Sequence, residues 1–250
     1  MKSFFKTFLA SFLGSALLLL LLIIIPIVSL ISSLSSSDTT VTIKPKSILY
    51  MTLDYEIPER TDSNDLGFVF TGSSFKTHDK AGMNDIINNI KAAAVDENIS
   101  GIFLELSSLG TSAASANIEE IRNELIKFRE TGKFVVSYSE AYSQSAYYLA
   151  TAANEIYLFP EGMIDIHGMA TQNMFYKHLF DKLDIEMQII RPANNKFKSA
   201  VEPYFLDKMS DANREQHEVL LNSMWTKIYD DISDARDIEE STINKFADDL

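Results

Sequence analysis

The segment "NNKFKSAVEPYF", residues 194–205, holds a lysine in an unusual frame. Phe197 precedes Lys198, Ala200 and Val201 follow it, and Pro203, Tyr204 and Phe205 close the stretch. Lysine is among the side chains least often found away from water. An amine in water has a reference pKa of about 10.4 and is useless as a base while protonated. Desolvation lowers that value by roughly 3–5 units, and the neutral amine can then take a proton from a serine. The apolar flanks of Lys198 fit such a site. They fit equally a lysine that lays its stem on an apolar surface and keeps its head in water.

Other groups offer less. The histidines are His78, His167, His178 and His217, and none pairs with another at metal-ligand spacing. His167, in "IDIHGMA", reads as a structural imidazole at a strand–turn junction, so no metal site is expected. "SSLGTSAAS", residues 107–115, sits where phosphate-binding loops occur but carries a single glycine, and reads as an ordinary connection. No cofactor is expected. Ser143 and Ser145, in "YSQSAYY", lack the glycines that bring oxyanion-stabilising amides close, and helix capping is their expected task. The absence of cysteine excludes thiol catalysis and disulfides within these residues.

The elements that must position Lys198 follow an α/β rhythm. A strand is expected over Ser47–Ile57, ended by Pro58, followed by a polar loop over 59–80. Met83, Ile86, Ile87, Ile90 and Ala94 share one helical face. "ISGIFLEL" is a nearly continuous apolar run that suits a buried parallel strand. Ile118, Ile121, Leu125 and Phe128 form the next helical stripe, and Gly132 stops that helix. "KFVVSYS" and "EIYLFP" read as strands, with a helix over 143–154 between them. "QNMFYKHLFDKL" reads as a helix and "IEMQIIRP" as a strand. Strands alternating with helices predict a mostly parallel sheet. Ser210 and Asp211 start a long helix whose stripe is Leu221, Met224, Trp225, Ile228 and Ile232. "IEESTINKFADDL" begins another helix, and with neither cap nor tail after it the chain is expected to continue past Leu250.

The N-terminus is different material. Lys2 and Lys6 are followed by no charge until Asp38. Phe8–Ile31 exceeds the roughly 20 apolar residues that cross a bilayer, and is too long for a signal-peptide core of about 7–15. It reads as an uncleaved anchor spanning residues 7–31, with the lysines of residues 1–6 on the cytoplasmic side and the rest of the chain beyond the membrane. Residues 32–46 are a Ser/Thr-rich linker, 47–208 the α/β domain and 209–250 a helical extension. The 250 residues carry a formal charge of −13, which excludes a basic surface for nucleic acid.

"KSAVEPYFLDKMS", residues 198–210, followed by "REQ", resembles the lysine segment of the signal peptide peptidase A family in its long, two-half form. "AYSQSAYYLATAANEIYLFPEGMIDIHGMATQNMFYKHLFDKL" and "ISGIFLELSSLG" with "IRNELIKFRETGK" resemble its N-terminal half, as does the anchor. The resemblance implies a ClpP/crotonase-like α/β spiral and peptide-bond hydrolysis by a Ser/Lys dyad. Lys198 matches the family's base. The serine and most oxyanion donors belong to the family's C-terminal half, and "SQSAYY" lacks the Ser-Gly-Gly pattern, so neither Ser143 nor Ser145 takes that role. The resemblance also implies peptide substrates such as cleaved signal peptides, a homo-oligomer (a tetramer in the family) to whose packing the Trp225 helix could contribute, and a place in the bacterial inner membrane with the catalytic domain on its outer face. Glu202 and Tyr204 would shape the turn that aims the lysine, as structural residues.

Two other readings compete. A non-catalytic, membrane-anchored crotonase-like module would serve assembly or peptide capture, with Lys198 a relic. A soluble acyl-CoA enzyme of the crotonase type is disfavoured by the anchor and by "KSAVEP".

Overall fold

The computed structural model describes residues 2–34, 43–55, 57–61, 81–109, 115–191 and 196–249. The expected loop at 59–80, the linker at 32–46 and the 107–115 connection lie partly outside these residues, and His78 wholly so. The chain divides into two units, Met1–Lys44 and Pro45–Leu250.

The first unit holds one helix, α1 (Lys2–Leu34), with Pro26 inside it. Its Phe4–Ile27 segment is long and apolar enough to cross a membrane. Helices of this kind satisfy every backbone group internally, which a lipid environment demands.

In the second unit four parallel strands lie in sequence order: β1 (Ser47–Thr52), β2 (Ile99–Glu105), β3 (Phe134–Ser139) and β4 (Glu155–Leu158). Each crossover carries a helix: α2 (Met83–Val95), α3 (Ser115–Glu130) and α4 (Gln144–Ala150). The α3 stripe is the centre of the core, with Ile118, Ile121, Leu125 and Phe128 all at 1% exposure or less. Each such side chain stabilises the fold by about 1.5–3 kcal/mol relative to exposure. Gly132 ends the turn after α3 at φ +87°, a conformation that favours glycine. On α2 the buried residues are Ile86, Ile90 and Ala93; Met83, Ile87 and Ala94 are half-buried.

The sheet is sealed better on one side than the other. Along β2, Ile102 and Leu104 are fully buried while Phe103 is only half-buried, stacking on Tyr50 of β1 at 5.6 Å. The apolar run of β2 thus faces a dry layer on one side and a partly wetted aromatic row on the other. Gly101 lies opposite Phe134, whose ring and carbonyl occupy the space a Cβ would take.

Several expected boundaries move. β1 ends at Thr52 rather than Ile57, because its register partner β2 ends at Glu105; Leu53 and Ile57 still enter the core. α4 ends at Ala150 rather than Asn154, because Asn154 brackets β3 instead. Its side-chain Oδ1 accepts from the Val135 amide and its own amide donates to the Val135 carbonyl, each at 2.8 Å. The helix expected over 172–183 shrinks to α5 (Lys177–Lys182). Upstream, the Tyr176 amide donates to the Pro203 carbonyl at 2.7 Å. The strand expected over 185–192 does not form in residues 185–191. Its apolar alternation is real, but β-propensity needs an edge to pair with, and no described strand pairs there. Ile185, Met187 and Ile190 are consequently exposed.

Three further helices complete the unit: α6 (Glu202–Phe205), α7 (Asp211–Arg236) and α8 (Glu240–Asp248). Ser210 caps α7, its Oγ accepting from the Asn213 amide at 3.2 Å. The α7 stripe is half-buried and only Ile232 is sealed. Trp225 packs inside the unit, with Nε1 donating to Asn244 Oδ1 of α8 at 2.7 Å.

A buried polar clamp fixes the far end of α7. Asp231 accepts from the Tyr148 hydroxyl and from Lys227 Nζ, each at 2.6 Å, and faces the Arg122 guanidinium at 3.6 Å. Arg122 also donates to Thr151 Oγ1 at 2.9 Å and to the Asp231 carbonyl at 3.0 Å, and lies over the Tyr148 ring. α3, α4 and α7 are thereby locked together. Burial by itself would raise the Asp231 carboxyl, but the bonds from Lys227 and Tyr148 and the Arg122 charge hold it below the usual range. Burial and the bond to Asp231 push the Tyr148 phenol strongly up.

Candidate active site

Lys198 lies in the turn that enters α6. The Glu202 amide donates to the Ser199 carbonyl at 2.9 Å and the Tyr204 amide to the Val201 carbonyl at 3.1 Å, so the turn and α6 form one structural piece. Pro203 in the first turn of α6 suits a position whose amide has no helical partner.

The turn does not enclose its lysine. Lys198 is exposed, Phe197 is 46% exposed and Ala200 is exposed. Sequence neighbours in a turn radiate outward; only non-local walls can dry a side chain. The apolar flanks are thus a surface among the described residues, the second of the two arrangements that the sequence allowed. Lys196 lies over the Phe197 ring at 4.7 Å and pairs with Glu215 of α7 at 3.0 Å.

What the turn lacks in burial around Lys198 it has beneath. Glu202 is 4% exposed. Its Oε1 accepts from Ser210 Oγ at 2.6 Å, and its Oε2 accepts from the Ser210 amide at 3.2 Å and Asn213 Nδ2 at 3.0 Å. Burial would raise this carboxyl, but these bonds and nearby Arg191 hold it below the usual range. Asn213 Oδ1 is buried without a donor among the described residues. An unmet acceptor of that kind costs about 1–3 kcal/mol. On its other side α6 is held by rings: Tyr204 stacks on Tyr176 and on Phe180, each at 6.3 Å.

The serines and His167 are elsewhere. Ser143 caps α4, its Oγ accepting from the Ala146 amide at 3.3 Å, while Ser145 lies inside the helix. His167 is exposed and sits 3.2 Å from Asp165. Its loop is held by Gln144, whose Oε1 accepts from the amides of His167 and Gly168 at 3.2 and 3.0 Å. No contact joins Lys198 to Ser143 or Ser145 among the described residues. Two pockets lie away from Lys198. One, of about 330 Å³, is apolar and bounded by Tyr147, Ile164, Ile166, Ile232, Ile238, Ile243 and Phe246; the other has His167, Trp225 and Asn244 in its wall.

The lysine turn, α6, α7 and α8 all fall within residues 127–250, and that range matches peptidase family S49. The ClpP-like fold of the S49 peptidases accords with the parallel sheet described above. Similar proteins include Protease 4 of Salmonella typhi, 39% identical over 173 residues, which are 69% of this chain and 28% of that protein. Protease 4 of Haemophilus influenzae is 34% identical over 159 residues, 64% of this chain and 25% of that protein. The chloroplastic serine protease SPPA of Arabidopsis thaliana is 28% identical over 204 residues, 82% of this chain and 28% of that protein. The chain thus spans about a quarter of the length of these relatives. The Glu202–Ser210–Asn213 contacts were missed in the sequence. Ser210 was legible as a cap, but nothing in the local pattern marks a carboxylate eight residues earlier as its partner.

Proposed function

We propose that this chain is the lysine-bearing part of a membrane-anchored serine endopeptidase with a Ser/Lys dyad. The observation that carries the proposal is the position of Lys198, in "KSAVEP", inside the S49-matching residues. In this reading the neutral Lys198 amine takes the proton from a serine Oγ as that oxygen attacks the scissile carbonyl. The resulting ammonium then gives the proton to the departing amine, as general acid–base catalysis requires. In this reading the serine and the oxyanion donors come from the C-terminal half that the resemblance implies, and that half also supplies the desolvation that the exposed turn does not.

The substrates in this reading are peptides at a membrane, cleaved signal peptides among them. α1 crosses the bacterial inner membrane with its lysines inside, holding the domain on the outer face near such peptides. The enzyme assembles as a homo-oligomer, a tetramer by the resemblance, and has no nucleic-acid partner. The exposure of Lys198 favours one alternative, a non-catalytic module for assembly or peptide capture.

One measurement separates the two. Lys198→Ala is made in the full-length protein and assayed on an unfolded fluorogenic peptide. Loss of a general base is expected to lower kcat by about 10²–10⁴-fold with the melting temperature unchanged. Cleavage at the wild-type rate would overturn the base assignment.

A further inference from the structure

We propose that Glu202 is a positioning residue for Lys198, pinning the turn that carries the amine to the first turn of α7. The proposal rests on the reading of Lys198 as the base.

Burial supports it first. Lys198, Phe197 and Ala200 are exposed, yet four residues after Lys198 stands one of the most deeply buried carboxylates among the described residues, at 4%. A carboxylate is removed from water only where hydrogen bonds replace its hydration. Here all three donated bonds come from two residues at one place, Ser210 and Asn213, at the start of α7. That end of a helix also favours negative charge.

Connectivity comes second. The Glu202 amide closes the turn on the Ser199 carbonyl, one residue from Lys198, so fixing the carboxylate fixes the lysine's backbone. The other ties from this turn to α7 are weak. The Lys196–Glu215 pair is more than half exposed on both sides, and Ser199 Oγ reaches Gln216 only at 3.5 Å. Among the described residues, Glu202 is the most buried tie between this turn and α7.

The test uses the full-length protein in detergent, with an unfolded fluorogenic peptide as substrate. Glu202→Gln keeps the shape but removes the charge from the acceptor of all three bonds and replaces one of its two acceptor oxygens with an N–H donor. Since a misplacement of about 1 Å can cost about 10²-fold in rate, kcat is expected to fall at least about tenfold with KM within about twofold. The reciprocal change, Glu202→Gln with Asn213→Asp, restores a donor–acceptor pair and is expected to raise kcat at least about threefold above the single variant. Should Glu202→Gln not fold, Ser210→Ala, which removes one donor, is expected to lower kcat about threefold at constant KM.

Wild-type kcat in Glu202→Gln, or in Ser210→Ala where that variant is read, overturns the positioning role. So does a swap that restores the melting temperature but not kcat. If Lys198→Ala is inactive while Glu202→Gln is fully active, the positioning role alone fails; if Lys198→Ala is fully active, the base assignment fails and takes this proposal with it.

Discussion

Asp231→Ala is the perturbation whose cost the structure fixes best. Asp231 is 17% exposed and Arg122 is 5% exposed. Removing the carboxylate leaves the buried Tyr148 hydroxyl without its 2.6 Å acceptor, a loss of about 1–3 kcal/mol. It also leaves the Arg122 charge uncompensated. Breaking a fully buried pair costs about 3–5 kcal/mol. Here the cost is lower, because Arg122 keeps Thr151 Oγ1 and the residue-231 carbonyl as acceptors. Lys227 is half-exposed and returns to water at little cost. The sum is about 3 kcal/mol, which for a domain of this size lowers Tm by about 6–12 °C. Thermal melting followed by circular dichroism reads the shift. Tyr148→Phe adds a check: alone it should cost about 1 kcal/mol, and on top of Asp231→Ala almost nothing, because its partner is already gone. A Tm within 2 °C of wild type, or additive losses for the two changes, would refute the clamp.

Gly101→Ala is expected to lower Tm by about 4–8 °C, since its Cβ would lie 2.5 Å from the Phe134 ring and 2.6 Å from the Phe134 carbonyl; an unchanged melt would mean that the β2–β3 register is wrong. Acid should reveal the two hydrogen-bonded carboxylates. Both Asp231 and Glu202 are held below their unfolded values of about 3.9 and 4.3, so their stabilisation is present above about pH 5 and is lost as pH falls through the folded values. A Tm-versus-pH series should therefore be flat from pH 7 to about 5 and fall below 4, and Asp231→Asn with Glu202→Gln should flatten the acid limb; parallel limbs would contradict this.

The α/β architecture was legible because periodicity is a local signal. Ile118, Ile121, Leu125 and Phe128 announce a face in the sequence and form it in the structure. "IEMQIIRP" shows the limit: its alternation suits a strand, but pairing depends on a partner strand that the pattern cannot name. The candidate site divides the same way. Lys198 stood out by its neighbours, but apolar neighbours in a turn do not decide between a dry and a wetted amine, since enclosure comes from distant chain. The contacts that hold the turn were invisible for the same reason. Glu202 reaches Ser210 and Asn213 in the next helix, and Arg122 meets the Asp231 carbonyl across 109 residues.

α7 works as a lever arm. Its first turn grips the lysine segment through Asn213, and its last turns are bolted to the core through Asp231, 18 residues or about 27 Å further along. A tilt of about 2° at the bolt swings the gripped end by about 1 Å, enough to cost about a hundredfold in a reaction that demands alignment. On the proposed reading of Lys198 as the base, substitutions near Arg122 or Tyr148, far along the helix from the lysine turn, should therefore register as changes in turnover.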